Sequence, residues 1–300
     1  MRFPDARLLV AAAAMAAAQA LAAPEAVRNE IASRLQIQLP GVAAADYALG
    51  GAALDAELRA QIEENAAAGA AIVESGRRMW NAKFRDGRTL AACFPNGGRR
   101  IAAHYPQYDA RLKRVVTLEM AVNQCLKAHG EALYDPADAQ TMGVVTAYLR
   151  SLSNGQKVAV RVPPAAEDRF EQGRRLYFTR LGQRNYACAS CHVQGVGRHF
   201  GDATLSPAVG QATHWPVIRD GAPVTLQARM RECLELMGAA PFAAGSDELN
   251  TSSTSSPISP TGSRSRRTHG ARNSRVQREA VTQALPGACC AAGSCARKYR

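Results

Sequence analysis

Cys188–His192 reads Cys-Ala-Ser-Cys-His, and this stretch decides the fold. Two thiols at this spacing can add to the two vinyl groups of one haem, and the adjacent histidine can bind the iron. The alternatives are a redox CxxC and a zinc site. The sequence shows no βαβ pattern for the first and no second nearby ligand pair for the second. The motif therefore predicts a c-type cytochrome with one covalent haem c on Cys188, Cys191 and His192.

The first 22 residues have the pattern of a secretory signal. Arg2 and Arg7 make a basic start, the run Leu8–Leu21 is apolar and rich in alanine, and the segment ends at a small-x-small cleavage site. The run is too short for a convincing membrane anchor, and no other stretch is apolar enough to span a bilayer. Haem c is attached after export, so both features predict the periplasm, where disulfides can form.

The formal charge of +12 is concentrated at the C-terminus. After residue 250, nine Lys and Arg residues oppose a single Glu, so this tail holds +8 and the rest of the chain only +4. A mildly basic body can attract an anionic substrate or partner, but it does not indicate a nucleic-acid binder.

A short repeat indicates a duplication. GRRMW at Gly76–Trp80 recurs as GRRLY at Gly173–Tyr177, and a cysteine follows each copy with a second one further on. A repeat of this length predicts two domains that each bury a core of their own. We therefore expect two tandem cytochrome c-like domains.

Helical periodicity dominates the sequence and strand patterns are hard to find, so the predicted fold class is mostly α. Three helices are predicted most clearly: Glu167–Leu181, a helix that starts at Asp135–Asp138 and ends at Asn154-Gly155, and Val224–Met237. The apolar positions that carry this periodicity include Phe170, Gly173, Tyr177, Met142, Val145, Leu149, Leu152, Leu226, Met230, Leu234 and Met237.

The first half lacks a haem motif, since neither a second thiol nor a histidine follows Cys93 at the required spacing. In an oxidising compartment the simplest fate of Cys93 and Cys125 is a disulfide. A loop of this size contributes about 3–4 kcal/mol by chain entropy. The alternative is two buried free thiols.

The iron needs a sixth ligand unless it binds small molecules. Met230 and Met237 are the candidates for an ordinary electron carrier, and Cys233 lies on the same helical face. Arg229 and Arg231 lie close to Cys233 in sequence and can lower the pKa of its thiol. A fall from about 8.5 to about 6 would make the thiol mostly thiolate, the form that binds iron or attacks sulfur.

From Asn185 to Asn250 the chain resembles SoxA, the cytochrome subunit of the SoxAX complex of bacterial thiosulfate oxidation. Upstream it resembles the single-haem branch of that family, in which the first domain looks like a cytochrome whose haem is replaced by a disulfide. The matching stretches are NYACASCH at Asn185–His192, LSPAVGQATHWP at Leu205–Pro216, RMREC at Arg229–Cys233, APFAAGSDE at Ala240–Glu248, LDAELRAQIEE at Leu54–Glu64, GRRMW, Cys93 and Cys125.

The resemblance implies an L-cysteine S-thiosulfotransferase. Such a protein forms a heterodimer with the cytochrome SoxX, joins thiosulfate to a cysteine of the carrier SoxYZ and passes electrons to cytochrome c. It implies His192 as the proximal iron ligand, Cys233 as the distal ligand and sulfur-reactive residue, Arg229 as the residue that steadies the anionic substrate, and the Cys93–Cys125 disulfide. Two alternatives stay open: a plain electron carrier with methionine ligation, and an assembly subunit without chemistry of its own.

The predicted organisation has five parts: a signal peptide (1–22), an N-terminal extension (23–70), a haemless cytochrome c-like domain (71–160), a haem-binding cytochrome c domain (161–250) and a tail (251–300). Family members continue after Asn250 with an apolar helix, whereas this chain turns to TSSTSSPISPTGSRSRR. This composition predicts a disordered tail, or one translated from a shifted reading frame.

Overall fold

The fold is built from helices and short hairpins. A computed structural model describes residues 24–42, 66–154, 156, 159–201, 203–207 and 216–255. Within them are seven α-helices and three two-stranded antiparallel sheets, so the prediction of a mostly α class is confirmed. In chain order the elements are α1 (Pro24–Gln38), α2 (Ala66–Trp80), β1 (Gln107–Asp109), β2 (Arg114–Val116), α3 (Leu118–Ala128), α4 (Val144–Ser151), α5 (Glu167–Phe178), β3 (His199–Phe200), β4 (Ala203–Thr204), β5 (Val217–Arg219), β6 (Ala222–Val224), α6 (Leu226–Leu236) and α7 (Asp247–Ser255).

Two halves of the chain repeat one order of elements. Each has a first helix (α2 or α5), a hairpin (β1–β2 or β5–β6), a capped helix (α3 or α6) and a last helix (α4 or α7) that packs on the first. The caps are alike, because the Thr117 side chain accepts from the Met120 amide and Thr225 accepts from the Ala228 amide. The repeat of structure follows the repeat of sequence.

The first half has an aromatic core around Trp80. Its indole ring packs against Phe94 at 5.1 Å and Tyr148 at 6.2 Å between ring centroids, and Nε1 donates to the carbonyl of Gly97. Helices α2 and α4 approach closely at Gly76, where an added Cβ would lie 2.3 Å from the Val144 carbonyl oxygen. This contact explains why the GRRMW segment needs its glycine.

A disulfide joins the capped helix of the first half to the segment that follows α2. Cys93 and Cys125 are bonded, with their Cα atoms 5.9 Å apart, so they are not two free thiols. Cys125 is buried in the same core as Trp80. The crosslink therefore ties α3 to the core of this half.

The core of the second half includes a helix from the N-terminal extension. Ile31 and Leu35 of α1 are buried against Phe170 of α5 and against Val193, which follows the haem motif. Helix α1, which belongs to the predicted extension of residues 23–70, thus packs against the segment that carries the motif. The predicted signal peptide lies outside the described residues.

Three predicted boundaries differ from the structure. Helix α2 begins at Ala66, inside the predicted extension, and α5 ends at Phe178, before the predicted Leu181. Asp138 rather than Asp135 caps the helical segment that leads into α4, because its carboxylate accepts from the amides of Gln140 and Thr141. Helix α6 lies within the predicted range 224–237.

Helix α7 crosses the predicted start of the tail. It runs to Ser255, and Thr251, Ser252 and Ser253 are buried although they are polar. The hydroxyl of Thr251 donates to the Asp247 carbonyl and that of Ser253 to the Leu249 carbonyl, so the helix itself satisfies these two hydroxyls. The helix therefore continues to Ser255, past the predicted start of the tail at residue 251. The rest of the predicted tail, from residue 256, lies outside the described residues.

The hairpin of each half contacts the other half. Strand β2 packs against α7, and β6 packs against α2 and against the π-helical turn Ala139–Gly143 that precedes α4. Arg114 of β2 and Asp247 of α7 form an ion pair at 2.7 Å. The two halves therefore share a reciprocal interface.

Candidate functional site

A largely apolar pocket lies in the second half, between the haem motif and helix α6. It is partly open to solvent, and the space between its walls amounts to about 1060 Å³ when the solvent-filled mouth is included. The residues that line it are Leu176, Tyr177, Leu181, Tyr186, Ala187, Cys188, Cys191, His192, Phe200, Leu226, Arg229, Met230, Cys233, Leu234, Leu236, Met237, Phe242, Leu249 and Ser252. The predicted haem-binding, iron-ligating and catalytic residues thus all meet in one pocket, while the Cys93–Cys125 disulfide lies in the other half.

One wall of the pocket carries the haem motif on a short helical turn, Ser190–Gln194. At the start of this turn, the Ser190 hydroxyl accepts a hydrogen bond from the Ala187 amide. His192 Nδ1 lies 2.8 Å from the carbonyl oxygen of Ser206. A carbonyl only accepts, so Nδ1 carries the proton and Nε2 keeps a lone pair for a metal.

Helix α6 and the residue that caps its end bring three sulfur atoms to the pocket. Cys233, Met230 and Met237 all line it. Cys233 carries no disulfide. It is the eighth residue of α6, and the disulfide-bonded Cys125 is the eighth residue of α3. The duplication therefore places the two cysteines at equivalent positions, one in a crosslink and one in the pocket.

Arg229, on the same helix, is held in place by charge. Its side chain is only 7% exposed, and Nη1 lies 2.7 Å from Oε2 of Glu232. Arg219 of β5 donates to both oxygens of the same carboxylate, at 3.0 and 2.8 Å. Burial alone would raise the pKa of Glu232, but the hydrogen bonds and charges of Arg219 and Arg229 outweigh it and keep that pKa below the usual range.

Three residues that contact the site are not among those predicted from the sequence. Ser206 supplies the histidine's acceptor, and Glu232 and Arg219 hold Arg229. Arg229 and Glu232 are three residues apart on one helix, a spacing that favours an ion pair and could have been recognised. Nothing in the sequence brings Arg219 or Ser206 to these partners. His199 is exposed on β3, and His214 lies outside the described residues.

The residues present fit haem c. The pocket is lined mainly by apolar side chains, and the two thiols of the motif, the His192 imidazole with its Nδ1 already engaged, and the sulfur atoms of Met230 and Cys233 line it too. Covalent attachment needs the thiols, and axial ligation needs the imidazole and the sulfur. The described part of the chain contains no helix that could cross a membrane.

Comparison with known proteins gives a consistent result. The SoxA/TsdA cytochrome c domain family matches residues 75–158, which is the half that carries the disulfide. Among similar proteins are the L-cysteine S-thiosulfotransferase subunits SoxA of Chlorobaculum tepidum, 40% identical over 70% of this chain and 75% of the relative, and of Allochromatium vinosum, 41% identical over 57% and 62%.

A solved structure shares the fold. The crystal structure of SoxXA from P. pantotrophus matches with a TM-score of 0.57 and 26% identity, over 62% of this chain and 72% of that one. The likeness thus extends beyond the half that the family match covers, and most of the length of the Chlorobaculum tepidum relative is represented. The chain belongs to the SoxA family of c-type cytochromes.

Proposed function

We propose that this chain is the SoxA subunit of a periplasmic L-cysteine S-thiosulfotransferase. The sulfane sulfur of thiosulfate bonds to a cysteine sulfur of the carrier SoxYZ, which gives Cys–S–S–SO₃⁻. The thiol proton leaves, and two electrons pass to cytochrome c. The observation that carries this proposal is that Cys233 and the haem motif line one pocket.

The motif and helix α6 would hold one haem c between them. Cys188 and Cys191 would attach it, and His192, through Nε2, and Cys233 would be the residues that hold the iron. When bound, haem c supplies one-electron transfer and stabilises a thiolate ligand. The apolar lining lowers the local dielectric constant and so strengthens the electrostatic interactions of these groups.

Arg229 gives the pocket its attraction for anions. It lines the pocket together with Cys233, and its guanidinium stays charged at any physiological pH. A fixed guanidinium can donate two parallel hydrogen bonds to the oxygens of a thiosulfate ion. We assign it the role of steadying the thiosulfate anion beside Cys233.

The proposal also includes the division of the chain into domains and the place of the haem. The two halves would be tandem cytochrome c-like domains (71–160 and 161–250), with haem only in the second. The repeated order of elements and the disulfide at the position equivalent to Cys233 support this. The signal-like N-terminus supports the periplasm, and the likeness to a SoxXA complex supports a heterodimer with SoxX.

A simple electron-transfer cytochrome is the second candidate. Met230 and Met237 both line the pocket, so a thioether could take the sixth position instead of Cys233. An assembly subunit without chemistry is a third.

A pair of substitutions separates these functions. In the purified complex with SoxX, Cys233→Ala should lower thiosulfate-dependent reduction of cytochrome c with SoxYZ by orders of magnitude, and it should remove the thiolate signature from the haem spectrum. Met230→Leu, which changes a neighbouring sulfur on the same wall, should keep both. Full activity in Cys233→Ala, or loss of the sixth-ligand signature in Met230→Leu, would contradict the proposal.

A further inference from the structure

Helix α6 and strand β5 together form a cluster of three charged side chains near Cys233: Glu232 and Arg229 of α6 and Arg219 of β5, here called the charge trio. Both oxygens of the Glu232 carboxylate accept hydrogen bonds from the guanidinium of Arg219, and Oε2 also accepts one from Arg229. Glu232 immediately precedes Cys233 in the chain. The trio therefore links the hairpin β5–β6 to the guanidinium that lines the pocket.

The first half provides an internal comparison. Thr117 and Thr225 cap α3 and α6 in the same way, so positions along the two helices and their hairpins correspond. The trio occupies the third residue of β5 and the fourth and seventh residues of α6. The first half has no such trio at the corresponding positions: the strand position holds Asp109, which has the opposite charge to Arg219, and the two helix positions hold the uncharged Ala121 and Gln124. The trio therefore accompanies the half with the haem motif and the reduced cysteine.

We propose that Glu232 and Arg219 are positioning residues for sulfur transfer, which fix the Arg229 guanidinium where it meets the thiosulfate dianion beside Cys233. This inference rests on the proposed function. Neither residue lines the pocket, so each acts through Arg229.

A fixed geometry explains why a carboxylate stands so close to an anion site. A long arginine side chain has many rotamers, and a substrate that must order it loses part of its binding energy. Glu232 removes that cost in advance, although its charge lowers the net charge of the trio to +1. The two effects act in opposite directions on anion binding, so they can be separated by experiment.

The first test is the equilibrium binding of thiosulfate to the haem-loaded complex with SoxX, measured by calorimetry without carrier or acceptor. Glu232→Gln keeps the shape but makes the site more positive by one charge. Positioning predicts that the dissociation constant rises about tenfold, as a mispositioned contact costs binding. If Glu232 acted only through its negative charge, its removal would make thiosulfate bind more tightly. Tighter binding, or an unchanged dissociation constant, would overturn the proposal. Glu235→Gln on the exposed side of α6 makes the same change in charge and should leave the constant within about twofold.

The second test asks whether the trio acts as one unit. Arg219→Gln should also weaken thiosulfate binding, and the double variant with Glu232→Gln should bind no worse than the weaker single variant. Additive losses would overturn the proposal. Arg219→Lys, which keeps the charge but loses the fork, should lie between wild type and Arg219→Gln.

Turnover provides the third readout. In Glu232→Gln the KM for thiosulfate should rise with kcat changed less, and the haem absorption spectrum should match wild type. A changed spectrum with an unchanged KM would overturn the positioning role. Binding is measured without turnover, so this inference and the sulfur transferase function can fail separately.

Discussion

At the scale of single residues, Glu171 shows how local pairing makes stability depend on pH. Its carboxylate accepts from Arg174 at 2.6 and 2.8 Å and from Arg175 at 2.9 Å, all on α5. These hydrogen bonds, Arg174 first, lower the pKa of Glu171 from 4.5 to about 2 in spite of partial burial. The stabilisation is therefore fully present above pH 4.5 and is lost as the pH falls toward 2.

Glu171→Gln should lower the free energy of unfolding at pH 6 by about 1 kcal/mol, a value reduced for solvent screening because the arginines are partly exposed. The difference from wild type should shrink toward zero as the pH falls through about 2, where the wild-type carboxylate takes up its proton. Urea titrations at several pH values measure this. A gap that persists undiminished below about pH 2 would show that packing rather than charge makes the difference.

The site residues show what a sequence can supply at this scale. The spacing of Cys188, Cys191 and His192 indicates haem because the chemistry is local, and the apolar face of α6 predicts that Cys233 points inward. The acceptor of His192 is 14 residues away and Arg219 is 13 residues from Glu232, so both depend on loop paths that carry no periodic signal.

At the scale of elements, close approach of helices α2 and α4 depends on Gly76. A Cβ there would meet the Val144 carbonyl oxygen at 2.3 Å and the Tyr148 Cβ at 2.7 Å. Backbone on the facing helix cannot rotate away as a flexible side chain does, so the helices would have to separate.

Gly76→Ala should therefore destabilise the chain by about 1–3 kcal/mol, although alanine favours a helix more than glycine does. Ser75→Ala at the adjacent position should stay within about 0.5 kcal/mol of wild type. Thermal or urea unfolding followed by far-UV circular dichroism compares them. A stabilised Gly76→Ala variant would show that helix propensity outweighs the contact.

Sequence periodicity predicts the long amphipathic elements better than the short or polar ones. Met142, Val145 and Leu149 repeat at helical spacing, and all three are fully buried. The hairpins have strands of two or three residues, too short to show alternation. Helix α7 contains a buried Thr-Ser-Ser run. The hydroxyls of Thr251 and Ser253 donate hydrogen bonds to backbone carbonyls of the same helix, a compensation that composition does not reveal.

At the scale of the whole molecule, the disulfide and the pocket lie in different halves. The Cys93–Cys125 bond closes a loop with a sequence separation of 32, and neither cysteine lines the pocket. Its contribution is therefore to the stability of the first half and not to the chemistry of the second.

The double variant Cys93→Ser/Cys125→Ser should lose about 3–4 kcal/mol of unfolding free energy. The haem spectrum and its thiolate signature should be retained under native conditions. Urea unfolding and optical spectroscopy on the same samples test both parts. Loss of the thiolate signature in the folded variant would show that the crosslink controls the pocket after all.

The exchange of hairpins makes the two halves dependent on each other. Strand β2 covers the closing helix α7 of the second half, and β6 covers α2 of the first. Cutting the chain near residues 159–163 would not give two halves that fold independently. Each half would expose the surface that the hairpin of the other half covers. The two halves are therefore expected to mature and to be degraded together, and a protease that removes one half would also destabilise the other.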